Sequence, residues 1–284
     1  MTATLSPLVI EPLVRMALAE DMGRGGDITT DAVIPAAARA TVVMAARDAG
    51  VIAGLDMAEA AFRMLDPAVR FRRMVPEGAD IAAGGDILEI EGAACAILTA
   101  ERVALNFMTH LSGIATLTRR MVQAVGNNKA RIAATRKTTP GLRVIEKYAV
   151  QVGGGVPHRY GLDDAVLIKD NHIAIAGDIR AAIRAAKNRA GHMVKIEVEI
   201  DTLAQLDDVL AEGVDIIMLD NMSLGDMAEA VKTVAGRALV EASGGVTLVR
   251  ISAIAATGVD LISSGALTHS APHLDIGLDF RQVG

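Results

Sequence analysis

The chain has 284 residues, a formal net charge of −6, 51% hydrophobic but only 2% aromatic residues, and a single cysteine. That length allows one large domain or two modest ones, either able to bury a full core built from Ala, Val, Ile, Leu and Met. The acidic balance without an aromatic–basic strip argues against a nucleic-acid binder, no apolar run approaches the ~18 residues of a membrane span, and Cys95 alone excludes an intrachain disulfide or a cysteine-based metal cluster.

The N-terminal stretch has no basic leader and meets Glu11, Glu20 and Asp21, so it does not read as a signal peptide, and a reducing cytoplasm is expected. Residues 8–20 carry the apolar spacing of an amphipathic helix, which GRGGDITT at 23–30 breaks. From Arg39 to Ile90 short strand patterns alternate with turns, interrupted by one helix at 56–65, as in a small α+β domain. A long helix follows from Thr99 to Val125, with Thr99 as its N-cap and Cys95 as a small core residue before it. On that reading Arg102 sits in the first turn, where the helix dipole disfavours a cation. It is either a solvated side chain or a group placed there to reach an anion.

After Arg131 the pattern becomes βα units. Strands are expected at 131–135, 165–169, 194–199, 215–220, 238–243 and 260–264, separated by helices such as 178–190, 202–212 and 225–235. EGVDIIMLDN (212–221) is echoed by TGVDLISSGA (257–266), a weak internal repeat that supports the βα units of an α/β barrel. The strands end on Lys169, Glu199, Asp220, Ser243 and Ser264, and in such a barrel those ends share one mouth. Polar residues also end strands for no further reason, so each of these carries little by itself. In VKIEVE, Lys195, Glu197 and Glu199 fall on one side; Lys195 and Glu197 are expected to neutralise each other inside the barrel, leaving Glu199 for the mouth.

The stretch Thr135 to His172 concentrates cations in this acidic chain: Arg136, Lys137, Arg143, Lys147, His158, Arg159 and Lys169, with a triple glycine at 153–155. Arginines suit bidentate carboxylate or phosphate binding, lysines supply compact charge, and glycines allow close approach of backbone, so a polyanion pocket is expected. Arg143 and Lys147 lie on an expected helix and read as supporting or surface residues. Small residues after the last strands, SGG (243–245) and SGA (264–266), suit a phosphate site. Glu199 and Asp220 are carboxylates fit for ribose hydroxyls, a Mg2+-diphosphate, or a cationic transition state. No zinc-ligand spacing, serine elbow or Walker motif occurs.

Taken with ERVALNFMTHLSGIATLT (101–118), TRKTTPGLRVIEKYAVQVGGGVPHRYGL (135–162), LIKDNH (167–172), EVE (197–199), LDN (219–221), EASGG (241–245) and SSGALTHSAPHLDIGLDF (263–280), the chain resembles the quinolinate phosphoribosyltransferase family over nearly its whole length. The resemblance implies an α/β protein: an incomplete seven-stranded α/β barrel at 109–271, and an N-terminal α+β sandwich domain at 1–108 joined by the tail 272–284. It implies phosphoribosyl transfer from phosphoribosyl pyrophosphate to quinolinate with decarboxylation, and a homodimer, or a higher oligomer built from it, with shared sites. Arg102 (donated by the partner), Arg136, His158, Arg159 and Lys169 would bind quinolinate. Lys137, Lys169, Glu199 and Asp220 would serve the reacting centre. Ser243, Gly244, Gly245, Ser264, Gly265 and His269 would bind phosphate. Mg2+ is expected, carried mainly by the diphosphate near Glu199 and Asp220. Thr109-His110 departs from the family's frequent Gln-Arg. Three other readings stay open: a Schiff-base aldolase using Lys169, a paralogue with another acceptor base, and a non-catalytic dicarboxylate-binding protein.

Overall fold

The computed structural model describes residues 4–283, which divide into two compact units: 1–119 with 144–153 and 270–284, and 120–143 with 154–269. No helix among the described residues is long and apolar enough to cross a membrane.

The first unit opens with α1 (Pro7–Met22), whose N-cap Ser6 accepts the Leu8 N–H. The GRGGDITT segment does more than end that helix. Asp27 caps a second one, α2 (Ile28–Val33), accepting the Thr30 N–H at 3.0 Å and the Thr30 hydroxyl at 2.6 Å. Then come β1 (Arg39–Ala46), β2 (Gly50–Val51), α3 (Leu55–Leu65), β3 (Arg70–Arg73), β4 (Asp80–Ile81) and β5 (Asp86–Ala93). The long helix α4 runs from Ala94 to Val125, five residues earlier than the Thr99 cap predicts. The Thr99 hydroxyl instead donates to Asp27, and Arg102 lies in the third turn, so the helix dipole gives no account of it. Cys95 is half-buried near the start of α4 rather than in the core.

The β1 residues Val42 to Ala46 are buried in succession, as a strand packed on both faces requires. The chain's last strand, β12 (Ile276–Val283), pairs antiparallel with β1, giving the sheet order β12-β1-β5-β3. The tail that the resemblance joins to the N-terminal domain thus does so as an added strand. Helix α5 (Arg143–Val152) belongs largely to this unit and buries Glu146 and Lys147 completely, correcting the surface placement of Lys147. Glu146 meets His110 Nε2 at 3.0 Å, so the unusual His110 is absorbed into local packing.

The second unit alternates parallel strands with helices: β6 (Arg131–Ala133), β7 (Val166–Ile168), α6 (Asp170–Ala176), α7 (Ile179–Arg189), β8 (Ile196–Ile200), α8 (Leu206–Glu212), β9 (Ile216–Asp220), α9 (Leu224–Val234), β10 (Leu239–Ser243), α10 (Ile251–Ala256), β11 (Leu261–Ser263) and α11 (Ala266–His269). The sheet order is β6-β11-β10-β9-β8-β7. A seventh position is supplied only by Val156, which bridges Ala133 in parallel, and among the described residues no ladder joins it to β7. The barrel is therefore incomplete.

The internal repeat has a structural cause. Asp215 and Asp260 each sit just before a strand and accept a backbone N–H of the preceding one, Ile196 and Val240, at 2.9 Å in both cases. Each also binds a lysine, Lys195 or Lys129. Lys195 thus pairs with Asp215 at the N-terminal end of the sheet, not with Glu197 as the alternation suggested.

Candidate active site

At the C-terminal strand ends of the second unit lies a cavity of about 580 Å3. Every strand contributes. Thr135, Arg136 and Lys137 follow β6, Leu167 comes from β7 and Lys169 directly after it, Glu199 from β8, Met218 and Asp220 from β9, Glu241 and Ser243 from β10, and Ser263 from β11. The loop after Val156 adds His158 and Arg159, and the turn after β10 adds Gly244 and Gly245.

Cations and carboxylates are placed in pairs with different fates. Lys169 Nζ lies 2.5 Å from Glu199 Oε2, so that carboxylate is already engaged. Asp220 is held from the side: the Asn221 amide donates to its Oδ2 at 2.8 Å. Asn221 has a φ of +53°, and its backbone N–H reaches the Ser243 carbonyl at 3.0 Å. Gly244 packs so tightly there that a Cβ would fall 2.2 Å from Asn221 Oδ1, and at φ +81° it is already a conformation that side chains avoid. Only glycine fits that turn, which leaves its backbone lining the cavity.

Arg136 and Arg159 form the most strongly charged part. Burial, reinforced by the charge of Arg136, holds the Arg159 guanidinium below its ordinary pKa. Arg159 donates to the Ala165 carbonyl at 3.1 Å, while the Arg136 Nε is buried without a hydrogen-bond partner. Two neighbouring guanidiniums, one with an unsatisfied N–H, make a seat for a multiply charged planar anion.

His158 is tied at both ring nitrogens. Its Nδ1 accepts the Arg159 N–H at 2.8 Å, and Nε2 faces Glu197 Oε2 at 3.1 Å. With a φ of +53° it sets the turn that delivers Arg159.

Ten of the residues singled out from the sequence meet in this cavity: Arg136, Lys137, His158, Arg159, Lys169, Glu199, Asp220, Ser243, Gly244 and Gly245. Ser264, Gly265 and His269 are not among its lining residues. Gly265 and His269 stand beside Lys137, where a Cβ on Gly265 would meet the lysine chain at 2.8 Å. Arg102 belongs to the other unit and is exposed there. The triple glycine does not line the cavity either: a Cβ on Gly153 would lie 2.5 Å from the Ala115 carbonyl of α4, so that glycine serves packing. Arg143 bonds Thr138 Oγ1 and the Tyr160 carbonyl at 3.0 Å each, a supporting role. Leu167, Met218, Asn221, Glu241 and Ser263 escaped the sequence reading. For Glu241 the signal was available, since it shares a strand face with Ser243 two residues on.

An incomplete α/β barrel whose strand ends join an arginine pair, a lysine–carboxylate ion pair, a second carboxylate and a glycine turn defines a class: barrel proteins built to bind polyanionic small molecules. Comparison with known proteins narrows it. The family model for the N-terminal domain of quinolinate phosphoribosyl transferase matches residues 27–112, and that for its C-terminal domain matches 114–279. A nicotinate-nucleotide pyrophosphorylase [carboxylating] of Mycobacterium leprae is 47% identical over 273 residues, covering 94% of this chain and 95% of that protein. A probable one of Synechocystis is 45% identical, covering 95% and 92%. The crystal structure of NadC from Streptococcus pyogenes superposes with a TM-score of 0.94 at 42% identity, covering 99% of this chain and all of that one. The chain belongs to the quinolinate phosphoribosyltransferase family.

Proposed function

We propose that the protein transfers the phosphoribosyl group of phosphoribosyl pyrophosphate to quinolinate and releases CO2, giving nicotinate mononucleotide and diphosphate, a step of NAD biosynthesis. The observation that carries this reading is the Arg136–Arg159 pair, with its buried unsatisfied N–H, in one cavity with Asp220 and the Gly244–Gly245 turn. Quinolinate brings two adjacent carboxylates to the arginines. The cosubstrate brings a 5′-phosphate to the glycine turn and hydroxyls and diphosphate to Asp220 and Lys137.

The pyridine nitrogen attacks C1 of the ribose as the C1–diphosphate bond breaks, so positive charge passes from the ribose to the ring. The C2–carboxylate bond then breaks, CO2 leaves, and the electron pair on C2, stabilised by the cationic nitrogen, takes up a proton. No protein nucleophile is needed; the residues orient two anions and hold charge where it develops. Lys169 is engaged by Glu199, and the transfer asks it for charge and hydrogen bonds, not for the covalent bond of a Schiff-base enzyme. A protein that only captured dicarboxylates would have no use for Asp220 or the glycine turn.

Mg2+ fits this site. Asp220 offers the hard oxygen donor that this ion prefers, while Glu199 is drawn off by Lys169. Bound with the diphosphate, the ion supplies charge stabilisation for the leaving group. The reading also includes a homodimer in which the partner's copy of Arg102 completes the carboxylate clamp, and a cytoplasmic enzyme. Incubating the protein with quinolinate, phosphoribosyl pyrophosphate and Mg2+ is expected to yield nicotinate mononucleotide; absence of that product at saturating substrates would refute the assignment.

A further inference from the structure

The barrel interior contains an acid for which the transfer chemistry has no use. Glu241 and Glu197 are 0% and 4% exposed, and their carboxylates meet His158 with ligand atoms all within 4.8 Å of one another. The trio has the composition of a cation site, but the hydrogen bonds of His158 oppose that. Because Nδ1 accepts the Arg159 N–H, the neutral ring keeps its proton on Nε2, facing Glu197, and presents no lone pair to a metal. That single N–H serves Glu197. Glu241 Oε1 is farther from Nε2, at 3.7 Å, and neither of its oxygens has a hydrogen-bond partner. Two ionised carboxylates cannot cheaply share such a space without a cation, so the pair retains a proton. Burial, reinforced by the charge of Glu197, pushes Glu241 up to about 7, against the opposing pull of His158 and Ser263.

Glu241 also lines the cavity that holds Arg136 and Arg159. We propose that Glu241 is a specificity residue of the dicarboxylate site, which must be protonated for the doubly charged substrate to occupy the arginine clamp. The inference rests on the proposed transferase activity, because it takes quinolinate as that dianion. Its physical basis is reciprocity: a buried negative charge and a dianion in one low-dielectric cavity each weaken the other's stability by the same free energy. Protonated Glu241 adds an O–H donor where the ionised form offers only acceptors.

Among the described residues around Glu241, Lys195 lines a small cavity with Glu197 and Glu241, but its ammonium is held by Asp215. From β8 come Glu197 and, one step toward the mouth, Glu199 in its pair with Lys169, which directly follows β7. From the loop after Val156 come His158 and Arg159, and after β6 Arg136. Facing Glu241 in the ladders are the apolar Met218 of β9 and Leu261 of β11, with Asp220 opposite Ser243 and Ser263 near the carboxylate but outside hydrogen-bond geometry.

The test is calorimetric titration of quinolinate into the full-length protein from about pH 5.5 to 8.5, in two buffers of different ionisation enthalpy so that protons are counted. Above about pH 7 the wild type is expected to take up close to one proton per quinolinate and to lose affinity toward tenfold per pH unit. Glu241→Gln is expected to bind without that uptake and with a flat profile over the same range. Binding by the wild type with no proton uptake, or uptake that persists in Glu241→Gln, overturns the inference. Should Glu241→Gln fail to fold, Glu197→Gln keeps the question open to refutation. Removing the charge that raises Glu241 should move the onset of uptake to lower pH, and an unmoved onset counts against it. A wild type that binds no quinolinate at any pH is a different failure, that of the functional reading itself.

Discussion

At Arg136 and Arg159 the cavity brings two guanidiniums together, the Nε of Arg136 having no hydrogen-bond partner, and at Glu241 it buries an acid that burial and the charge of Glu197 push up to about 7. The second arrangement has a consequence for folding. An acid whose native pKa is raised binds its proton more tightly in the folded state. Its contribution to stability is therefore complete below its unfolded value of 4.5 and is lost as pH rises through about 7. Chemical denaturation of wild type and Glu241→Gln should show the wild type losing stability relative to the variant across that window. A constant difference between the two would show that the acid does not titrate there. The arginines, lysines and carboxylates at strand ends were legible in the sequence because chain-distant strand ends converge in a barrel. Glu241 carries a fainter signal: it shares a strand face with Ser243, but two residues short of the strand end a polar residue looks like part of the ladder. Lys195 was assigned to the wrong partner for a related reason: alternation fixes the side a residue faces, not its depth along the barrel, and Lys195 sits at the far end with Asp215.

Elements were legible where hydrophobic period and length agreed. The parallel strands from β8 to β11 fall within a residue or two of their expected places because each is an apolar run bounded by turns. The start of α4 was misplaced because Thr99 is a good cap residue, yet its hydroxyl is engaged by Asp27, a residue far away in sequence. The C-terminal tail is a further case. Its return to the N-terminal sheet is what the family resemblance implies, but the contact that seats it is not visible in the sequence. A Cβ on Gly113 of α4 would lie 2.1 Å from the Pro272 carbonyl. Gly113→Ala must displace either the helix or the tail and is expected to cost about 1–3 kcal/mol. A lower midpoint in thermal or denaturant unfolding checks this; an unchanged midpoint would show that the tail yields without strain.

At the scale of the whole molecule, the sequence carries a partial barrel and an antiparallel sheet as two distinct pattern regimes. What it does not carry is how nearly the barrel closes, since the seventh position rests on one bridging residue, Val156. The proposed dimer is testable at this scale. Arg102→Ala and Lys169→Ala should each be inactive alone, but subunit exchange in an equal mixture makes half of the dimers mixed, each with one intact site. About a quarter of wild-type activity should then return. No recovery despite demonstrated exchange would mean that each site is built within one chain.

If one cavity couples phosphoribosyl transfer to loss of a carboxylate, CO2 and diphosphate leave it in a fixed ratio. With quinolinate labelled in its 2-carboxylate, phosphoribosyl pyrophosphate and Mg2+, labelled CO2 and diphosphate should appear in equal amounts, and neither should form when quinolinate is withheld. Diphosphate released without CO2 would contradict the account and point to a different acceptor base on the same scaffold.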